Sequence, residues 1–131
     1  MEESRLTIRC RFGPTYVRDL KRAGLGQKTE DELGEAWEEI VSAFKANSSH
    51  PEESKAGTAI PKNAREIYKK RIADPDRNRG KSGGYRLIYW WRETEREIVG
   101  LYFYLKSEKE DVTQKEIEAA RKAFISRNDP A

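Results

Sequence analysis

The chain has 131 residues, 36% of them hydrophobic and 37% charged, with a formal net charge of +3. That length suits one domain over residues 1–131, with a small core beneath a surface dense in charge. No apolar run approaches the roughly 20 residues of a membrane helix, the acidic start Met1-Glu2-Glu3-Ser4 argues against a secretory signal, and the lone Cys10 excludes an intramolecular disulfide or a multi-cysteine metal site.

Arg5 to Phe12 alternates apolar and polar residues, which predicts a strand with one buried face. Gly13-Pro14 ends it, and Pro14 to Ala23 reads as a short helix closed by Gly24-Leu25-Gly26. Thr29 with Glu32 forms a capping-box pattern for a second helix, whose apolar stripe is Leu33, Trp37, Ile40, Val41 and Phe44. Trp37 and Phe44 are expected in the core. Asn47 to Asn63 lacks periodicity and reads as a loop, with His50 solvated inside it. Ala64 to Asp74, Tyr85 to Glu93 and Glu97 to Lys106 read as strands, the last two as a hairpin around a charged turn. Lys115 to Phe124 is a C-terminal helix capped by Thr113 with Glu116.

The order β-α-α-β-β-β-α predicts an α+β fold. Its antiparallel-rich sheet carries two N-terminal helices on one face, and a C-terminal helix follows. Charge divides sharply along it. Residues 27–54 hold eight acids and two bases, and residues 62–86 hold nine bases and three acids. The molecule therefore has an acidic and a basic side, and the acidic second helix is expected to face away from a polyanion.

The basic segment is the candidate site. Alternation along the strand puts Lys69 and Arg71 on one face and Lys70 on the other. The loop Arg77-Asn78-Arg79-Gly80-Lys81-Ser82-Gly83-Gly84 leads into Tyr85 and Arg86 at the head of the next strand. If the strands are antiparallel neighbours, Arg86 lies beside Lys69 and Arg71, with Lys106 completing the cluster and Tyr85 and Tyr104 supplying aromatic surface. Gly83-Gly84 allows close backbone approach or positive φ. Such a cluster suits phosphate, and RNA is the expected source. It is not a nucleoside-triphosphate P-loop, because the first glycine of that pattern would fall at Pro75 and no helix follows. Catalysis without histidine or metal would align a ribose 2′-OH on its adjacent phosphorus and stabilise the added charge with preorganised cations. A lysine with a lowered pKa would serve as base.

Three runs resemble the RelE/HigB group of bacterial toxins: Lys69-x-Arg71, Gly80 to Tyr89, and Tyr104 to Asp111. The resemblance is strong over residues 66–118. It implies a small fold like that of microbial ribonucleases, and an mRNA endonuclease that cleaves in the ribosomal A site. It also implies a cognate antitoxin, a cytoplasmic location, and neither a cofactor nor a membrane partner. It implies catalytic roles for Lys69, Arg71, Arg86 and Lys106, and RNA contacts for Arg79, Lys81, Tyr85, Tyr104 and Lys109. Some RelE toxins use a C-terminal tyrosine in proton transfer, and this chain has no tyrosine after Tyr104. Two competing readings are a same-fold toxin acting on a protein such as DNA gyrase, as in the ParE branch, and an inactive RNA-binding member. The cations on the sheet argue against the first.

Overall fold

The computed structural model describes residues 7–63 and 66–128. In chain order the elements are β1 (Arg9–Phe12), α1 (Pro14–Ala23), α2 (Gln27–Ala46), a short α3 (Glu53–Ala56), β2 (Thr58–Ala59), β3 (Ile67–Ile72), β4 (Tyr85–Arg92), β5 (Glu97–Leu105) and α4 (Gln114–Asn128). The strands form one sheet in the order β1-β5-β4-β3-β2. β1 runs parallel to β5 and every other pairing is antiparallel.

α1 has the bounds its sequence predicts. Pro14 fits the first turn, where its missing N–H costs nothing, and Gly24 closes the helix at φ 55° with its N–H on the Leu20 carbonyl. α2 differs. It starts at Gln27 after Gly26, two residues before the expected cap, and Thr29 sits buried inside its first turn. The acceptor for the Thr29 N–H is the Asp76 carboxylate at 2.8 Å, which comes from another part of the chain. At α4 the expected capping box is present. Glu116 N–H donates to Thr113 Oγ1 at 3.1 Å, and Thr113 N–H donates to Glu116 Oε1 at 2.9 Å.

Both faces of the sheet are covered. α1 and α2 pack on one face around Tyr16, Ile40, Phe44, Leu87, Tyr89 and Phe103. α4 packs on the other, placing Ile117 and Phe124 against Ile67, Ile88, Trp90 and Val99. Trp90 and Trp91 are therefore both buried, one in each layer, although one exposed member was expected. Phe44 is fully in the core, while Trp37 is only partly buried at its margin.

The 47–63 segment is more structured than a loop. It contains α3, and β2 pairs with β3 through Thr58–Lys69 and Ala59–Tyr68. Its residues carry no period because the two-residue strand is too short to show one. Lys70 fastens this segment: its Nζ donates to the Lys55 carbonyl at 2.6 Å and lies 3.5 Å from Glu39. Burial lowers its pKa, and Glu39 opposes that shift. At the other end of the sheet, buried Glu97 accepts from Arg9 at 2.6 Å, Arg11 at 3.0 Å and Arg92 at 3.1 Å, tying β1, β5 and β4 together. Removing one partner of such a buried network costs about 3–5 kcal/mol. Arg5 and Ala64, at the heads of two expected strands, lie outside the described residues.

Candidate active site

The three long strands assemble one row of side chains. Arg71 is registered with Arg86 across β3 and β4, and Arg86 with Tyr104 across β4 and β5. Lys69 lies two residues from Arg71, hence on the same face. A bulge completes the row. The β4–β5 register slips between Ile88 and Tyr89, leaving Leu101 as the extra residue. That slip puts Leu101, Tyr102 and Tyr104 in the layer of α4 and turns Phe103 into the helix layer. Acidic α2 packs on the opposite face, away from this row.

Arg86 occupies the centre of the row but is only 3% exposed. Its Nη1 donates to the carbonyls of Lys81 (2.8 Å) and Tyr85 (3.2 Å), and its Nη2 donates to that of Ser82 (2.9 Å). The guanidinium thus braces the loop that precedes its own strand. Burial lowers its pKa first and neighbouring Arg71 lowers it further, while Tyr104 acts the other way. Arg71 itself is exposed. Gly84 is needed for close approach: a Cβ there would stand 2.2 Å from the Ile72 carbonyl oxygen. Gly83 meets no such demand, with nothing within 4 Å of its Cβ position. Neither glycine has positive φ.

A second brace holds the basic loop from below. Asp74 is fully buried and accepts from Thr29 Oγ1 at 2.7 Å, while Asp76 accepts the Thr29 N–H. Both carboxylates thus anchor the loop to the first turn of α2, where the helix dipole favours negative charge. The backbones of Asp74 and Arg79 pair in an isolated bridge. Arg77 reaches Tyr85 Oη at 3.1 Å and lies 3.7 Å from Asp74. Sequence reasoning missed this Thr29–Asp74–Asp76 latch. The only hint was a helix start followed far downstream by Asp-Pro-Asp.

The remaining candidates separate. Lys69 Nζ lies 3.6 Å from Asp111. Lys81 and Lys106 are exposed, and Lys106 N–H donates to the Gly84 carbonyl at the same end of the sheet. Lys109 is held by Glu116 at 2.6 Å. Arg79 is half-buried beside the Asp74 bridge. Tyr85 is not on the site face: it is buried in the helix layer, stacked on Phe103 at 4.5 Å between ring centroids. Its aromatic surface is spent on the core, which corrects the expectation of an RNA platform. Tyr104 is on the site face but only 8% exposed, and its hydroxyl has no hydrogen-bond partner among the described residues. Burial and then Asp111 push its pKa up to about 12, against the opposing pull of Arg86. The phenol is therefore protonated at neutral pH.

The fold and this site define a small α+β protein whose sheet presents cations at one end of one face. A sequence model of the family described as the RelE toxin of the RelE / RelB toxin-antitoxin system matches residues 52–127. The chain belongs to this family. Membership makes it the toxin member of a toxin–antitoxin pair and implies an antitoxin as its protein partner. No curated protein matches the sequence. Among solved structures, the chain is similar to the crystal structure of the isolated E. coli RelE toxin, with 14% identity and a TM-score of 0.49 over 88% of this chain and 98% of that one. A free-state arginine double mutant of the E. coli toxin RelE gives 15% identity and a TM-score of 0.47, over 92% and 97% of the two chains. No helix among the described residues is long and apolar enough to cross a membrane.

Proposed function

We propose that this protein is a metal-independent mRNA endonuclease that cuts in the ribosomal A site and so stops translation. The observation that carries the reading is the row Arg71–Arg86–Tyr104, with Lys69 beside it on one sheet face. In the proposed reaction the ribose 2′-oxygen attacks the adjacent phosphorus and the bond to the 5′-oxygen breaks. The products are a 2′,3′-cyclic phosphate and a free 5′-hydroxyl. Arg71 and Lys69 meet the phosphate directly, the phosphate replacing Asp111 as the anion beside Lys69. Arg86 acts from behind. It fixes the Lys81–Ser82 backbone and adds a buried positive charge close to Arg71, where a low dielectric strengthens its field. Lys106 and Lys81 contact the flanking RNA backbone. Tyr104, protonated at neutral pH, is suited to donate a hydrogen bond or proton to the leaving oxygen and not to accept one.

The test is a primer-extension map of mRNA on translating ribosomes, with the wild type and with a Lys69→Ala, Arg71→Ala double variant. Cuts confined to A-site codons and lost in the variant are expected. Unchanged cutting in the variant overturns the site. Absence of cuts with the wild type overturns the activity, and a DNA supercoiling assay then tests the gyrase-directed reading.

A further inference from the structure

Gly34 lies in the interior of the 20-residue helix α2, at an exposed position. A glycine there costs about 0.5–1 kcal/mol relative to alanine. Nothing inside the chain repays that cost, because a Cβ at Gly34 would meet no atom within 4 Å. Gly100 shows the contrast: its Cβ would press on the Tyr16 ring at 3.1 Å. The fold needs Gly100 small and leaves Gly34 unexplained.

Gly34 lines an apolar groove of about 330 Å³ between β1, α1 and α2, with walls of Phe12, Tyr16, Val17, Leu20, Leu33 and Trp37. Phe12 is 48% exposed and Val17 39%, so the surface is open to a partner. The two lips carry opposite charge. Glu30 and Glu38 are exposed one turn to either side of Gly34 on the α2 ridge. Beyond Phe12 and Val17, the other lip is lined by Arg18, Lys21 and Arg127.

We propose that this groove receives an amphipathic helix of the partner protein, its apolar stripe on Phe12, Val17 and Trp37. Its acidic flank lies on Arg18, Lys21 and Arg127, and its basic flank on Glu30 and Glu38. Gly34 lets the two backbones approach. The inference rests on membership of a toxin–antitoxin family and names the surface that the antitoxin occupies. A nucleic acid fits poorly, because the α2 lip would repel it. A second copy fits poorly too. α1 and α2 already direct their own stripes into the core, and α4 exposes only Ile125 among large apolar residues described. The groove lies on the helix side of the sheet, so a helix seated there leaves Lys69 and Arg71 open.

The probe is a labelled helical peptide of about 20 residues, with leucines at spacings of three and four, glutamates along one flank and lysines along the other. A second peptide has its flanks exchanged. The wild-type chain is expected to bind the first peptide about tenfold more tightly than the second. Gly34→Gln should weaken the first by about tenfold or more while melting no lower than wild type, since glutamine favours a helix. The Lys69→Ala, Arg71→Ala variant should bind unchanged. Absence of binding, equal binding of the two peptides, or indifference to Gly34→Gln overturns the proposal. So does self-association in sedimentation that Gly34→Gln abolishes, because the occupant is then a second copy. Peptide binding and ribosomal cleavage are read separately, so failure of one leaves the other standing.

Discussion

Arg71 and Arg86 stand directly opposite each other in the β3–β4 ladder and meet opposite surroundings. Arg71 is open to solvent, while Arg86 is buried with its guanidinium on three backbone carbonyls. The pair divides two tasks, one arginine facing the ligand and the other holding the loop around it.

That division separates their variants. Arg71→Ala should leave the unfolding free energy within about 0.5 kcal/mol of wild type, while RNA cleavage falls by about a hundredfold or more. Arg86→Ala should lose activity and stability together. Losing its charge-assisted hydrogen bonds costs about 1–3 kcal/mol, even after relief of the buried charge. Urea unfolding beside the cleavage assay distinguishes the two. An Arg86→Ala protein as stable as wild type would refute the bracing role.

The latch under the loop gives a pH-dependent prediction. The N–H of Thr29 holds the Asp76 carboxyl below its ordinary pKa. A depressed folded value means the carboxylate stabilises the fold above the unfolded pKa of about 3.9. That contribution disappears as pH falls through the folded value. Asp76→Asn should therefore melt at a lower temperature than wild type at neutral pH, with a smaller gap near about pH 2. Thermal scans across acid pH check this, and a gap that widens on acidification would remove Asp76 from the latch.

Local chemistry made part of this fold legible. Pro14 and Gly24 bracket α1 because proline and glycine act on their own backbone, and Thr113 with Glu116 caps α4 because both partners lie within one turn. Thr29 and Glu32 form the same pattern, yet Thr29 is served by Asp76 from 47 residues away, a partnership no local window contains. Alternation correctly put Lys69 and Arg71 on one face. It could not place Tyr104, whose side is decided by the bulge at Leu101. Trp90-Trp91 looked half-exposed because nothing in strand periodicity announces that α4 will cover the second face.

The glycine pair before β4 gives a contrast within one loop. Gly84→Ala should destabilise the protein by more than about 1 kcal/mol, because the added methyl meets the Ile72 and Gly80 carbonyl oxygens at 2.2 and 2.9 Å. Gly83→Ala meets open space at an ordinary φ and should be neutral or slightly stabilising. Denaturant midpoints of the two variants provide the check. Equal losses would mean the loop approaches β3 differently.

Tyr104 separates structure from chemistry in a single atom. Its hydroxyl is buried, without a hydrogen-bond partner among the described residues, beside Arg86 and Asp111. A buried polar atom left unpaired costs about 1–3 kcal/mol, so Tyr104→Phe should melt at or above the wild-type temperature. If the hydroxyl donates to the leaving oxygen, the same variant should lose about tenfold or more in cleavage rate. The raised pKa adds a second signature. Ionisation near pH 12 in the fold, against about 10 in the unfolded chain, makes Tyr104 stabilising below pH 10 and progressively less so up to pH 12. Ultraviolet titration of wild type and Tyr104→Phe should differ by one phenol ionising at the alkaline end. A Tyr104→Phe protein that is less stable yet fully active would assign the hydroxyl to packing and remove it from the reaction.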